Sequence, residues 1–213
     1  MHRYVFPFMV HVLSITVGVL GGAFAESVPA GEPLARNSGI TMDYYRNFFS
    51  GSMNHLKQMH KDGETPFRTI ALPDFQARSP WNMDSTRNLG RLYGVVIHGW
   101  LSPDVSGEYV LSAQCNGTME LHLSPDANAA NARPIVLEKR KQSNEGEKIP
   151  GQSGYESNRI APESIALNAG EDYFVKVYFL PGWQDSLSVG WNLKDRPGTR
   201  RVISGENLKR TID

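Results

Sequence analysis

Four runs in the second half of the chain keep their apolar side chains on one parity. Tyr109, Leu111, Ala113 and Cys115 alternate with Glu108, Val110, Ser112 and Gln114. Met119, Leu121 and Leu123 alternate with Glu120, His122 and Ser124. Tyr173, Val175, Val177 and Phe179 form a third set, and Leu187, Val189, Trp191 and Leu193 a fourth. Successive side chains of a strand point to opposite faces, so a period of two describes strands with one face in a core. The pattern predicts an all-β chain built as an antiparallel β-sandwich or barrel, with its ligand-binding residues in the loops.

The other elements are read around that frame. Residues 91–101 form the longest apolar strand, with Tyr93, Val95, Ile97 and Leu101 on one face and Val96 and Trp100 on the other. Burial on both sides predicts a central strand and puts Trp100, like Trp191, in the core. The aromatic-rich residues 42–49 read as an edge strand or a segment packed across the sandwich. Met53, Leu56 and Met59 or His60 recur at near-helical spacing, which predicts a minor helix near residues 52–60. Residues 67–72 read as a strand ended by Pro73. Residues 77–90 and 142–157 read as polar loops. Residues 181–185, Pro-Gly-Trp-Gln-Asp, read as a hairpin connection between two strong strands. Val202, Ile203 and Leu208 give the tail a last short segment to lay against the sandwich.

Residues 1–25 have the form of a secretory signal peptide. Arg3 precedes an almost continuous apolar run to Gly22, and Ala23-Phe24-Ala25 supplies the small-x-small cleavage pattern. An uncleaved anchor is the competing reading, since a spanning helix needs about 20 apolar residues. No later stretch is apolar enough to span. The expected product is secreted or periplasmic, with residues 26–40 as a flexible lead-in and residues 41–213 as one domain. Lys plus Arg number 22 against 22 Asp plus Glu. That balance provides no long-range field for nucleic acid or anionic membrane. The single cysteine, Cys115, rules out an internal disulfide and CxxC chemistry, and its inward parity makes it a small hydrophobe.

Gly107-Glu108-Tyr109-Val110-Leu111 and Met119-Glu120-Leu121-His122-Leu123-Ser124-Pro125-Asp126 resemble the core hairpin of PA-14 domains, β-sandwich modules found in anthrax protective antigen and yeast flocculation adhesins. Asp126-Ala127-Asn128-Ala129-Ala130-Asn131 is similar to the loop that follows in that family. The runs 165–173 and 186–191, and Leu101-Ser102-Pro103 after the 96–100 strand, fit the same order. The resemblance covers about residues 40–208. It implies a PA-14-like sandwich and a non-catalytic binding role.

Lectin members of that family hold calcium, and through it a sugar, with two adjacent Asp residues. Asn116-Gly117, or Cys115-Asn116 one residue earlier, stand at the matching place here. A hard cation needs several oxygen ligands, preferably charged, so no calcium or other metal is expected. The residues themselves read as a tight turn. Asn116-Gly117-Thr118 is also an N-glycosylation sequon, relevant only in a eukaryotic secretory pathway.

No nucleophile elbow, HExxH, P-loop or dinucleotide fingerprint occurs, and His55, His60, His98 and His122 read as surface or packed histidines. No enzyme activity and no catalytic residue are expected. Trp183, in a loop beside Gln184 and Asp185, can stack a sugar ring while its neighbours bond the hydroxyls; folding back to cap the sandwich is its alternative. The expected ligand site is therefore Asn116, Gly117, Trp183, Gln184 and Asp185. The expected partner is a glycan or a cell-surface protein. The alternative function is a structural or protein-interaction domain with no sugar site.

Overall fold

The computed structural model describes residues 37–46, 52–77, 93–135, 137–139, 157–181, 186–196 and 201–211. Residues 1–25, expected above as a signal peptide, and most of the expected lead-in lie outside them, as do Phe48, Phe49 and Trp183. Strands dominate: β1 Ile40–Tyr45, β2 Arg68–Leu72, β3 Gln76–Ala77, β4 Gly94–Leu101, β5 Gly107–Cys115, β6 Gly117–Leu123 and β7 Arg133–Ile135. Then come β8 Glu138–Lys139, β9 Ser157–Ile160, β10 Ile165–Leu167, β11 Tyr173–Pro181, β12 Leu187–Leu193, β13 Arg201–Val202 and β14 Leu208–Lys209. The predicted minor helix is α1, Met53–Lys61, with the Ser52 hydroxyl accepting from the His55 N–H as its N-cap.

Two antiparallel sheets make a sandwich. The first runs β2-β1-β4-β11-β6-β7 with β14 added to β4; the second runs β13-β12-β5-β9-β8 with β10 on β5 and β3 on β12. The inward parity set is buried as the alternation predicts. Leu111, Ala113, Cys115, Leu121, Val175, Val177, Phe179, Leu187 and Val189 are each at most 1% exposed. Packing of these two inner faces forms one core, and the tail joins it through the buried Ile203 and Leu208. Among the described residues no helix is long and apolar enough to cross a membrane.

Four expectations need correction. Residues 107–124 are not a hairpin, because β5 and β6 lie in different sheets. The 181–185 connection likewise links β11 of the first sheet to β12 of the second. Both are arches across the sandwich, and period-two parity cannot separate an arch from a hairpin because either leaves the same residues facing the core. β1 is not an edge; it lies between β2 and β4, with its tyrosines buried. Trp100 is not core: it sits on the outer face of the first sheet, its ring against Phe174 and its Nε1–H donating to the Ala127 carbonyl at 2.8 Å. The second sheet is also less open than alternation suggests, since Ser112 and Gln114 are buried despite outward parity.

Candidate functional site

The two arches stand side by side, because β6 pairs with β11 while β5 pairs with β12. Pro181 is the register partner of Gly117. Five residues on, the Ser186 carbonyl accepts from the Asn116 N–H at 2.8 Å. Both ends of the 182–185 segment are thus tied to the Asn116–Gly117 corner, although Trp183, Gln184 and Asp185 themselves lie outside the described residues. Asn116 is buried, whereas Gly117 is exposed with φ 137, a conformation glycine adopts without strain. Cys115 is buried beside them, its thiol donating to the Gly117 carbonyl at 3.7 Å.

A second cluster lies on the outer face of the first sheet, and it includes His60, His98 and His122, which the sequence alone presents as surface or packed histidines. His98, Lys176 and His122 are direct register partners across β4, β11 and β6. One pleat further along the same face come Asp43, Val96, Tyr178 and Glu120. The Asp43 carboxylate accepts from the Thr69 hydroxyl at 2.5 Å and meets His98 Nε2 at 2.9 Å. Glu120 takes the Lys57 ammonium of α1 at 3.0 Å and meets His122 Nε2 at 3.4 Å. Helix α1 caps one end of this face: Leu56 and Met59 pack on Tyr45, Val96 and Tyr178, and His60 Nδ1 lies 3.1 Å from the Tyr45 hydroxyl. The shared outward parity of His98, His122 and Lys176 was a signal in the sequence. Their lateral alignment was not, because it depends on the order β4-β11-β6.

Electrostatics follow from this packing. Burial pushes the Tyr45 hydroxyl up to about 12, helped by Asp43, Tyr178 and Glu64. Burial also pushes His60 down to about 4; the charges of Lys176 and His98 act the same way and Asp43 opposes them. Tyr45 and His60 therefore share their hydrogen bond as two neutral groups near neutral pH. His122 is lowered by burial, against the pull of Glu120. Burial works against ionisation of Asp43, but hydrogen bonds from His98 and Thr69 outweigh it and hold the carboxyl below its usual value.

A stability profile follows. The unfolded chain takes up a proton on His60 near pH 6.5 and the folded protein only at about pH 4. Stability should therefore fall as pH drops between those values and stay level above them. Denaturant midpoints of wild type and His60→Asn across this window check the assignment: the variant should show a shallower decline, with the remainder carried by His122. An unchanged slope would refute it.

Among the described residues, no group of three or more His, Cys, Asp or Glu side chains is arranged to hold a metal ion. No family model matches the chain, and no curated protein matches its sequence. Solved structures do. The chain is similar to the PA14 sugar-binding domain from an RTX adhesin, with 11% identity over 82% of this chain and 99% of that one, at a TM-score of 0.55. It is similar to the epithelial adhesin 6 A domain from Candida glabrata, in complex with Galβ1-3GlcNAc, with 10% identity over 84% and 90% and a TM-score of 0.52. It also matches an anti-sigma factor domain-containing protein at 16% identity and a TM-score of 0.53, covering 85% of this chain but only 51% of that one. At such identities the likeness concerns architecture, and the architecture of this chain is a PA14-like β-sandwich.

Proposed function

We propose that this chain is an exported, non-catalytic carbohydrate-binding module, and that its sugar site lies where the two arches meet. The observation that carries the reading is the tethering of the 182–185 segment, through Pro181 and Ser186, to the Asn116–Gly117 corner. An aromatic on a loop whose two ends are fixed loses little conformational entropy when a ring stacks on it. Trp183 supplies that surface, and Gln184 and Asp185 bond the hydroxyls. Asn116 is buried and its N–H is already spent on Ser186, so its part is to position the loop. Gly117, with no side chain, lets a ligand approach the backbone. The names of similar structures, a sugar-binding PA14 domain and an adhesin domain holding a disaccharide, favour the same class of ligand.

The proposed binding needs no calcium, because Asn116 and Gly117 offer no carboxylate pair. A glycan array probed in chelator and in excess calcium tests both points. The expected result is binding to at least one glycan, equal in the two conditions and lost in Trp183→Ala. Binding undiminished by Trp183→Ala would overturn the site, and loss in chelator would overturn calcium independence. A bare array together with a stable co-purifying protein would establish the alternative, an interaction domain.

A further inference from the structure

The His98–Lys176–His122 row poses an electrostatic problem that the arch site does not address. Lys176 is the fixed cation of this row, and a protonated histidine directly opposite it on an adjacent strand would repel it. The outer two have carboxylates to offset this: Asp43 for His98 and Glu120 for His122. The central one does not. Among the described residues no carboxylate forms an ion pair with Lys176. Its ammonium instead lies 5.0 Å from the Tyr178 ring centroid and 6.0 Å from that of Phe174, which holds it over the strand between two aromatic faces. Lys176 is only partly exposed.

Packed elements flank this row at both ends. At one end α1 packs over Tyr178 and Val96. At the other, the Asp126 carbonyl accepts from the Phe174 N–H at 3.0 Å, and Ala127 holds the Trp100 indole. Between them lies the three-residue row, and Trp100 packs edge-on against Phe174 beside it as an aromatic shelf. His98, Lys176, His122 and Trp100 all keep some exposure to solvent.

We propose that this row, with its aromatic shelf, is a second ligand site, for the oxyanion of an acidic saccharide. The Lys176 ammonium takes the carboxylate or sulfate, His98 and His122 flank it, and the Trp100 shelf meets the sugar ring. The anion supplies the counter-charge that Lys176 lacks among the described residues. The groups facing the oxyanion are His60 and Lys57 from α1, Asp43 from β1, His98 from β4, and Glu120 and His122 from β6. Burial holds His122 below its ordinary value, and a bound anion beside it favours its protonation, so binding takes up protons and tightens as pH falls. The row lies five residues along β6 and β11 from Gly117 and Pro181, and it shares no residue with the arch site.

Calorimetry on the purified protein with glucuronate, glucose and inorganic sulfate, at about pH 7.5 and about pH 5.5, tests the proposal. Glucuronate should bind more tightly at the lower pH, and glucose should not bind this row. Lys176→Met should weaken glucuronate roughly tenfold or more, Lys176→Arg should retain it, and Trp183→Ala should leave it unchanged. Displacement of glucuronate by sulfate would mark recognition of the oxyanion itself; failure of sulfate to compete would mark recognition of the carboxylated sugar. Absence of glucuronate binding at both pH values would overturn the proposal. So would equal binding of glucose, or wild-type affinity in a Lys176→Met variant that melts like wild type.

Discussion

Phe75→Ala is expected to lower the unfolding free energy by about 3–5 kcal/mol, the usual range for deleting a buried phenylalanine. Phe75 is 0% exposed. Its backbone is clamped on both sides: its N–H donates to the Ile203 carbonyl at 2.9 Å, and its carbonyl accepts from the Val189 N–H at 2.9 Å. Just beside it, a Cβ added to Gly205 would stand 2.2 Å from the Pro73 carbonyl oxygen, so the tail already presses against this bend. Backbone held so closely cannot settle into the vacated volume, which places the cost toward the upper part of the range. Against a total stability of about 5–15 kcal/mol for a typical domain, that is a large fraction. Urea titration should show a lower midpoint with an unchanged slope; a change under about 1 kcal/mol would mean that Phe75 does not bridge β12 and the tail.

Leu56→Ala carries the next largest effect, about 2–5 kcal/mol, and its consequence is local. At nine residues, α1 is shorter than the roughly 12–15 residues at which an isolated helix becomes even marginal. Packing must hold it. Leu56 is the fully buried anchor, with its methyls lying where Gly94 leaves room: a Cβ there would stand 2.7 Å from Leu56 Cδ1. Without that anchor, Met59, Lys57–Glu120 and His60–Tyr45 are left, and a partly exposed ion pair contributes little. Hydrogen exchange should show lost protection of the α1 amides while β4 and β11 stay protected. Uniform loss across the sheet would contradict a separately docked helix.

These two sites differ in how far the sequence revealed them. The spacing of Met53, Leu56 and Met59 announces the helix, because a helical stripe is local information. Phe75 sits in a bend between Pro73 and a two-residue strand, where no periodicity exists to mark it as core. The alternating runs at 109–123 and 173–193 foretell the inner faces correctly, since inward parity is a property of each strand by itself. Strand partners are not. Nothing local distinguishes the arch at Asn116–Gly117 from a hairpin turn, and β1 looked like an edge because the strands on either side of it come later in the chain. The same limit hid the outer-face cluster: Asp43 meets His98 only after β1 and β4 pair, and Lys176 meets both histidines only after β11 enters between β4 and β6.

The most direct test of the arch site is amide chemical-shift mapping during titration of a glycan selected on the array. The account predicts that shifts concentrate at Gly117, Thr118 and Ser186 and at the Trp183 indole N–H, with the His98–Lys176–His122 row unmoved by a neutral glycan. Shifts confined to that row, or to any surface away from the two arches, would contradict it.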